Sequence, residues 1–170
     1  ATLHPSYGSE QVKLFRDRRS INKKRYEDYI EWFDKHKVTD EQLKLQRKCS
    51  KEFKQRPLIS ILLPTYNTNP VYLRSCIDSV LSQSYDNWEL CISDDNSTSD
   101  QTKSVINEYV EKYNNIKATF RKENGHISKS SNTALSMAKG DYISLLDHDD
   151  ILPPNALFEV VDVINKNPDV

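Results

Sequence analysis

The stretch LISILLPTYN, residues 58–67, decides the fold of this chain. Its first six residues are mostly apolar and partly β-branched, without the alternation of a strand that has one solvated face. This pattern predicts a strand over Leu58–Leu63 that is buried on both faces, as in a parallel sheet. Pro64 is expected to end the strand because proline has no N–H for a neighbouring strand. The polar residues that follow, Thr65–Asn67, then form a loop.

Three later segments repeat this plan of a strand followed by a helix. Strands are predicted over residues 88–93, 116–120 and 142–146, with helical periodicity between them. One of the helices is predicted over Ser130–Ala138, closed by Gly140 as a glycine with positive φ. The order β-α-β-α-β-α-β-α predicts an α/β fold, with a Rossmann-like, mostly parallel sheet and helices on both faces.

Polar clusters follow three of the four strands. They are Pro64–Asn67, Asp94–Ser97 and Asp147–Asp150. In a parallel sheet the carboxyl ends of the strands share one edge, which is where ligands bind. The three clusters are therefore expected around one site.

Asp147 and Asp149 are the candidate metal ligands. Two carboxylates one residue apart repel each other unless a cation neutralises them, and oxygen ligands suit Mg²⁺ or Mn²⁺. Such a metal could bind a diphosphate and neutralise its charge. The alternative is an acidic turn that stabilises the start of the last helix. His148, between the two, is expected to pack rather than to bind metal.

Other residues of the same edge could contact a nucleotide. Asp94 and Asp95 could accept hydrogen bonds from a base or ribose, or could cap the next helix. Tyr66 could stack on a base, or could be an ordinary half-buried tyrosine. Arg121 and Lys122, after the third strand, could reach a phosphate, or could be a solvated basic pair.

Composition excludes several classes of protein. The 170 residues include only three glycines, so the GxGxxG fingerprint and the P-loop are both absent. Cys49, Cys76 and Cys91 form no CxxC pair, which argues against a disulfide framework and a zinc site and favours a reducing compartment. No apolar run approaches the ~20 residues of a membrane helix. No nucleic-acid partner is expected.

Charge is divided unevenly along the chain. Residues 10–56 contain 15 Lys+Arg and 9 Asp+Glu, whereas residues 57–170 contain 9 and 16. The basic segment is predicted to form two helices, one from Asn22 and one that opens at Thr39 and ends near Gln55–Pro57. Its charge could contact an anionic membrane surface, or could be a solvated face docked on the acidic part. The domain boundary is predicted between residues 56 and 57.

Residues 57–170 closely resemble the nucleotide-sugar half of a family 2 glycosyltransferase with the GT-A fold. The matching stretches are ISILLPTYN (59–67), VLSQSY (80–85), WELCISDDNSTSD (88–100) and ENGHISKSSNTALSMAKGDYISLLDHDD (123–150). They occur in the family's order and spacing, and their wording resembles the bacterial and archaeal branch that builds cell-surface polysaccharides, rhamnosyltransferases among them.

The resemblance implies roles for individual residues. Pro64, Thr65 and Tyr66 match the first nucleotide-binding loop. Asp94 matches the acid that reads the base, with Asp95 beside it.

Asp147 and Asp149 match the DxD pair, and the resemblance makes Asp149 the direct metal ligand. Gly125 and Asn132 match the loop and helix that support the donor site. Ser131 departs from the arginine of many members, which puts in doubt a phosphate contact from that position.

The activity implied is transfer of a sugar from a nucleotide-diphosphate donor to a glycan or lipid-linked acceptor in cell-surface polysaccharide synthesis. The reaction would be inverting and dependent on Mg²⁺ or Mn²⁺, in the cytoplasm or at the inner face of the cell membrane.

The resemblance also implies where the catalytic base is found. The family's general base and acceptor half follow the DxD segment, and no residue up to Val170 matches that base, so the base is expected beyond Val170. Residues 1–170 alone are therefore expected to bind donor but to transfer sugar poorly. The alternatives are a non-catalytic nucleotide-sugar binding module and a phosphotransferase-like enzyme.

Overall fold

The computed structural model of the chain describes residues 23–167. The chain divides into two compact units, residues 1–39 and residues 40–170. The first unit contains a helix, α1, over residues 23–36. The elements of the second unit are, in chain order, α2 (Asp40–Cys49), β1 (Ile59–Thr65), α3 (Pro70–Leu81), β2 (Trp88–Asp94), α4 (Asp100–Lys112), β3 (Ile116–Phe120), α5 (His126–Met137), β4 (Tyr142–Leu145) and α6 (Ala156–Lys166).

The four strands form one parallel sheet in the order β3-β2-β1-β4. Ile59 of β1 lies opposite Trp88 of β2 on one side and Tyr142 of β4 on the other. All seven residues of β1 are buried. The predicted α/β class and parallel sheet are therefore confirmed.

Helices cover both faces of this sheet, as the sequence predicts. Alternate β1 residues, such as Ile61 and Leu63, pack with apolar side chains of α3, α4 and α6 in the main core. Leu62 points to the other face, where it packs with Cys91 of β2 and Ala134 of α5. Period-two alternation of a strand explains this division between the two faces.

Pro64 does not end β1, contrary to the prediction. The strand continues to Thr65, and Pro64 lies opposite Ser93 of β2. Leu62 O accepts from Leu146 N on the β4 side, and Pro64, two residues later, faces the same side. The pairing of β1 with β4 stops at Leu62 and Leu145, so the missing N–H of Pro64 breaks no ladder bond.

α2 packs on the rest of the second unit through Leu43, which is buried, and through polar contacts of Gln46. Gln46 Nε2 donates to Glu159 Oε1 at 3.2 Å, and Ser84 Oγ donates to Gln46 Oε1 at 2.9 Å. The domain boundary predicted after residue 56 stays a prediction.

α2 ends at Cys49, earlier than the predicted stop near Gln55–Pro57. The buried Ser50 hydroxyl donates to Arg47 O at 3.2 Å, and Glu52 N donates to Cys49 O at 2.9 Å. These three-residue turns satisfy the last helical carbonyls and redirect the chain before proline is reached.

A polar network joins the sheet to the segment between α5 and β4. Glu89 Oε1 accepts from Ser60 Oγ and from Lys139 N, both at 2.6 Å, and Lys117 Nζ donates to Glu89 Oε2 at 2.8 Å. Gly140 lies beside this network with an ordinary φ, so its predicted role as a positive-φ helix terminator is wrong. A Cβ at Gly140 would lie 2.6 Å from both Leu58 O and Ser60 Oγ, so close approach requires the glycine.

α5 also starts earlier than predicted, at His126 instead of Ser130, and it ends at Met137. Its N-cap, Gly125, makes no side-chain capping bond. The sequence signal for this start was weak because serine and glycine residues surround it, and they have low helix propensity.

The predicted first helix is present as α1. Its aromatic side chains lie along one side and are exposed, with Tyr29 and Trp32 stacked at 6.3 Å. Lys35 pairs with Glu31 at 2.6 Å within the helix. The predicted start at Asn22 and the basic residues before it lie outside the described residues. Within residues 23–167, no helix is both long enough and apolar enough to cross a membrane.

Candidate active site

A cavity of about 440 Å³ opens at the carboxyl ends of the strands. It lies where parallel α/β sheets bind ligands. Its lining consists of Pro64, Thr65, Tyr66, Asp95, Asn124, His126, Ile127, Ser130, Asp147, His148 and Asp149. Residues from the ends of β1, β2 and β4 and from the start of α5 thus meet around one space.

Most of the predicted site residues line this cavity. The six that do are Pro64, Thr65, Tyr66, Asp95, Asp147 and Asp149. Asp94 and Lys122 do not, and Asn132 and Ser131 lie on α5 away from the lining. Lys122 is exposed on the loop after β3.

The loop after β1 is fastened to the loop after β2. Asn67 has a φ of +47°, and its Oδ1 accepts from Thr98 N at 2.9 Å and from Ser99 N at 3.1 Å. Asparagine tolerates this left-handed conformation better than most residues. The backbone beside Tyr66 is therefore fixed, while the Tyr66 ring remains 46% exposed at the cavity. That ring is available for a ligand.

Asp94 lies beneath the cavity instead of in its wall. It is fully buried, and its Oδ2 accepts from Ser97 N at 2.8 Å. Its Oδ1 accepts from Ser97 Oγ at 2.5 Å and from Thr65 Oγ1 at 3.3 Å. Both oxygens of Asp94 are thus used to shape the β2 loop.

Asp95 is the acid of this pair that reaches the cavity. Its backbone N donates to Thr65 O at 2.8 Å, which continues the β1–β2 pairing past the end of β2. Its carboxylate accepts from Gly125 N, at 2.9 Å to Oδ1 and 3.1 Å to Oδ2. Arg121 Nε lies 2.8 Å from Oδ1. Asp95 therefore joins the β2 loop to the N-terminus of α5.

The start of α5 supplies site residues that the sequence did not indicate. Asn124, His126, Ile127 and Ser130 line the cavity. His126 has a φ of +61°, a conformation that is uncommon outside glycine and that turns the chain into the helix. The buried Ser130 Oγ donates to Ser93 O at 2.9 Å and anchors α5 to the sheet. The Asn124-Gly125 pair, a common turn signal, was the one clue to this loop.

Asp147 and Asp149 lie on a turn directly after β4. Leu146 anchors the turn, since it is buried and its N donates to Leu62 O at 3.0 Å. Asp150 N donates to Asp147 O at 3.1 Å, which closes the turn. The side chain of Asp149 is 63% exposed, and His148 Nδ1 lies 3.9 Å from Asp149 Oδ1.

The turn concentrates negative charge. Burial, followed by the charges of Asp150, Asp149 and Asp147, raises the pKa of the nearby Cys76 thiol to about 12. Among residues 23–167, no lysine or arginine forms an ion pair with these three carboxylates. A cation is therefore the expected complement of this turn.

The donor set fits a metal that is shared with a ligand. Within the described part of the chain, no group of three or more His, Cys, Asp or Glu side chains is arranged to bind a metal ion. Mg²⁺ and Mn²⁺ commonly take one or two protein carboxylates and complete their shell with water and phosphate oxygens. Asp147 and Asp149 could supply such a pair.

The resemblance assigns the catalytic base to none of these residues. It is expected beyond Val170, and Val170 itself lies outside the described residues, which end at residue 167. Its position therefore stays a prediction.

Known proteins share this fold and this part of the sequence. The protein y4gI of Sinorhizobium fredii, which is uncharacterised, is 49% identical over 113 residues, or 66% of this chain and 12% of the relative. Chondroitin synthase of Escherichia coli is 36% identical over 118 residues, or 69% of this chain and 17% of the relative.

Among solved structures, S. aureus TarS 1–349 in complex with UDP-GlcNAc superposes with a TM-score of 0.59 at 29% identity. The match covers 65% of this chain and 32% of the TarS chain. The GT-A-like fold expected from the resemblance is thereby confirmed. The chain spans less than a fifth of the length of y4gI and of the chondroitin synthase.

A family model described as "Glycosyl transferase family 2" matches residues 60–170, well over half of the chain. The matched region contains the whole sheet from Ser60 onward and every residue that lines the cavity. The chain therefore belongs to glycosyl transferase family 2.

Proposed function

We propose that this chain binds the nucleotide-diphosphate sugar donor of a metal-dependent, inverting glycosyltransferase. The acceptor of the whole protein would be a glycan or a lipid-linked glycan in cell-surface polysaccharide synthesis. The observation that carries the proposal is the convergence of an exposed tyrosine, a fixed carboxylate and an acidic turn around one cavity at the carboxyl edge of the sheet.

The cavity wall supplies both kinds of contact that a nucleotide needs. The half-exposed ring of Tyr66 can stack on a base, and Asp95 can accept a hydrogen bond from a base N–H or a ribose hydroxyl. The volume, about 440 Å³, lies within the ~300–1,000 Å³ range of small-molecule sites.

Asp147 and Asp149 are the residues that would hold the metal. A divalent cation supplies electrostatic stabilisation of a diphosphate as negative charge develops on it. The exposure of Asp149 leaves its carboxylate accessible to ligand and water. Because two carboxylates leave most of the coordination shell open, metal and nucleotide are expected to bind together.

Relatives support the donor class and the acceptor class. TarS has been solved with UDP-GlcNAc, and a relative at 36% identity is a chondroitin synthase. An inverting transfer also requires a general base to deprotonate the acceptor, and that base is still expected beyond Val170. Weak transfer by residues 1–170 alone stays a prediction.

Location and membrane contact are proposals of a different kind. The basic balance of residues 10–56 supports a peripheral contact with the inner face of the cell membrane. Lys122 remains a proposed nucleotide contact on the loop after β3.

Calorimetric titration tests the donor site. The chain is titrated with UDP, dTDP and GDP, each with and without Mn²⁺, and at least one nucleotide is expected to bind more tightly with the metal. Asp149→Asn should remove most of that metal-dependent gain, a loss of about tenfold or more. Asp150→Asn is the matched control, because Asp150 follows on the same turn but does not line the cavity.

Two results would contradict this assignment. One is an unchanged metal-dependent gain in Asp149→Asn. The other is an equal loss in Asp149→Asn and Asp150→Asn, which would indicate a general effect of charge instead of a ligand.

A further inference from the structure

Arg121 follows β3 and turns its guanidinium into the protein, away from both roles that the sequence allowed for it. Its side chain is only 16% exposed, and it does not line the cavity. It is therefore neither a solvated basic residue nor placed to contact a bound phosphate.

We propose that Arg121 is a positioning residue for the nucleobase, acting through Asp95. The inference rests on the proposed donor site. It assigns recognition of the nucleobase at that site to a cluster of Arg121, Asp95 and Gly125, of which Asp95 lines the cavity. Arg121 Nε lies 2.8 Å from Asp95 Oδ1, and the Asp95 side chain is 3% exposed.

Arg121 is fixed through both its side chain and its backbone. Arg121 Nη1 donates to Thr133 Oγ1 at 2.5 Å and to Lys129 O at 3.2 Å, both on α5. Arg121 N donates to Asp94 O at 2.9 Å, which ties its backbone to the end of β2. A planar group with this many fixed bonds transmits orientation to its partner better than a lysine could.

Gly125 leaves the space that the guanidinium occupies. A Cβ at this position would lie 2.6 Å from Arg121 Nη2 and 2.8 Å from Lys129 Cδ. The φ of Gly125 is −128°, so the glycine is needed for this close approach and not for its backbone conformation. Arg121 and Gly125 thus pack together against Asp95, and neither of them lines the cavity.

The cluster uses the two oxygens of Asp95 unequally. Oδ1 forms the ion pair with Arg121, 2.8 Å from Nε but without a hydrogen bond from its N–H, and it accepts the shorter bond from Gly125 N, at 2.9 Å. Oδ2 accepts only the longer bond from Gly125 N, at 3.1 Å, within residues 23–167. Oδ2 is therefore the acceptor with capacity left for a ligand that donates an N–H, and its direction is set by Arg121.

The role makes a prediction that separates base recognition from phosphate binding. A positioning residue for Asp95 should affect nucleoside diphosphates and leave metal-bound pyrophosphate unaffected. A phosphate-binding arginine should affect both to the same degree. A purely structural arginine should lower the unfolding temperature and leave the ratio of the two affinities unchanged.

The experiment measures dissociation constants for the nucleoside diphosphate that the wild-type chain binds and for pyrophosphate, both with Mn²⁺. Arg121→Lys and Arg121→Gln should each weaken the binding of the nucleoside diphosphate about tenfold. The dissociation constant for pyrophosphate should change less than about twofold. Arg74→Gln is the matched control, since Arg74 pairs with Glu108 at 2.6 Å between α3 and α4, outside the cavity lining.

A double-variant cycle then tests whether the effect passes through Asp95. In an Asp95→Asn background, adding Arg121→Gln should weaken binding of the nucleoside diphosphate by a further factor of less than about two. The reason is that the carboxylate that Arg121 orients has already been replaced. Arg121→Lys carries the test if the glutamine variant does not fold. In Arg121→Lys, the Gly125 amide hydrogen should also exchange with solvent faster than in the wild type, since the Asp95 carboxylate that accepts its hydrogen bond is less well fixed.

Equal losses for both ligands, additive effects of the two substitutions, or an unchanged Gly125 amide would each overturn the role of Arg121. Failure of the wild-type chain to bind any nucleoside diphosphate would be a separate result. That result would remove the proposed donor site, and this inference with it.

Discussion

Replacing Asp94 separates a structural role from a base-reading role. The family resemblance implied that this residue reads the base, whereas the structure buries it completely beneath the cavity. Asp94→Ala removes both carboxylate oxygens, and Asp94→Asn keeps one of them. The two variants are expected to differ strongly in stability and weakly in nucleotide affinity.

The size of the effect follows from the groups left without partners. In Asp94→Ala, the buried Ser97 loses the acceptor for its N–H and the acceptor for its hydroxyl. A buried donor left unsatisfied costs about 1–3 kcal/mol, so with two such donors the variant should lose about 2–6 kcal/mol of unfolding free energy. That is a large part of the ~5–15 kcal/mol of a typical domain.

Asp94→Asn should be far milder, at about 1 kcal/mol. Its remaining oxygen can accept from Ser97 N, and its amide can donate to the Ser97 hydroxyl, which is able to rotate. Equilibrium urea unfolding followed by circular dichroism measures both variants. The slope with denaturant should stay constant if stability alone has changed.

Nucleotide binding completes the test under conditions where each variant is folded. Asp94→Asn should bind within about threefold of the wild type, whereas Asp95→Asn should lose about tenfold. The reasoning is refuted if Asp94→Ala costs less than about 1 kcal/mol. It is equally refuted if folded Asp94→Asn loses as much affinity as Asp95→Asn, because that is the result expected of a residue that reads the base.

Two further predictions concern ionisable groups that do not line the cavity. Burial raises the pKa of Glu89, but hydrogen bonds, led by that from Lys117, outweigh it and hold the pKa below its usual value. Glu89→Gln should therefore cost about 1–2 kcal/mol at pH 7. Because the folded pKa is lowered, this stabilisation is fully present above the unfolded pKa of ~4.3 and is lost as the pH falls through the folded pKa. The urea midpoints of variant and wild type should therefore approach each other as the pH falls below about 4. Burial raises the pKa of Cys76 to about 12 and that of Cys91 to about 11, while Cys49 is partly exposed. A thiol reagent at pH 8 should rapidly modify only Cys49 among the three cysteines of the native chain, and all three in urea. Rapid reaction of two or three thiols in the native chain would contradict the burial of Cys76 and Cys91.

Much of the fold could be predicted because its signals are local. The apolar run before Pro64 and the helical periodicity between strands depend on neighbouring residues, so strand order along the chain and a parallel sheet followed from them. The start of α3 is equally local, since Asn69 Oδ1 accepts from Val71 N and Pro70 begins the helix.

The errors arose where a distant residue decided the outcome. Pro64 continues β1 because β4 stops pairing beside it, and Gly140 is required by the approach of Leu58 O. Neither neighbour is near in sequence. The sequence shows that a proline or a glycine stands at a given position. Only the packing shows whether that residue ends an element, continues it or makes room for a close contact.

The amino-acid sequence by itself determined the family, the sheet and the edge at which polar residues gather, because those depend on patterns repeated within short segments. Tertiary structure alone decided between Asp94 and Asp95, and it turned Arg121 inward. Adjacent residues at the end of a strand point in opposite directions, so a single step along the chain separates a side chain buried in the loop from one that faces a ligand.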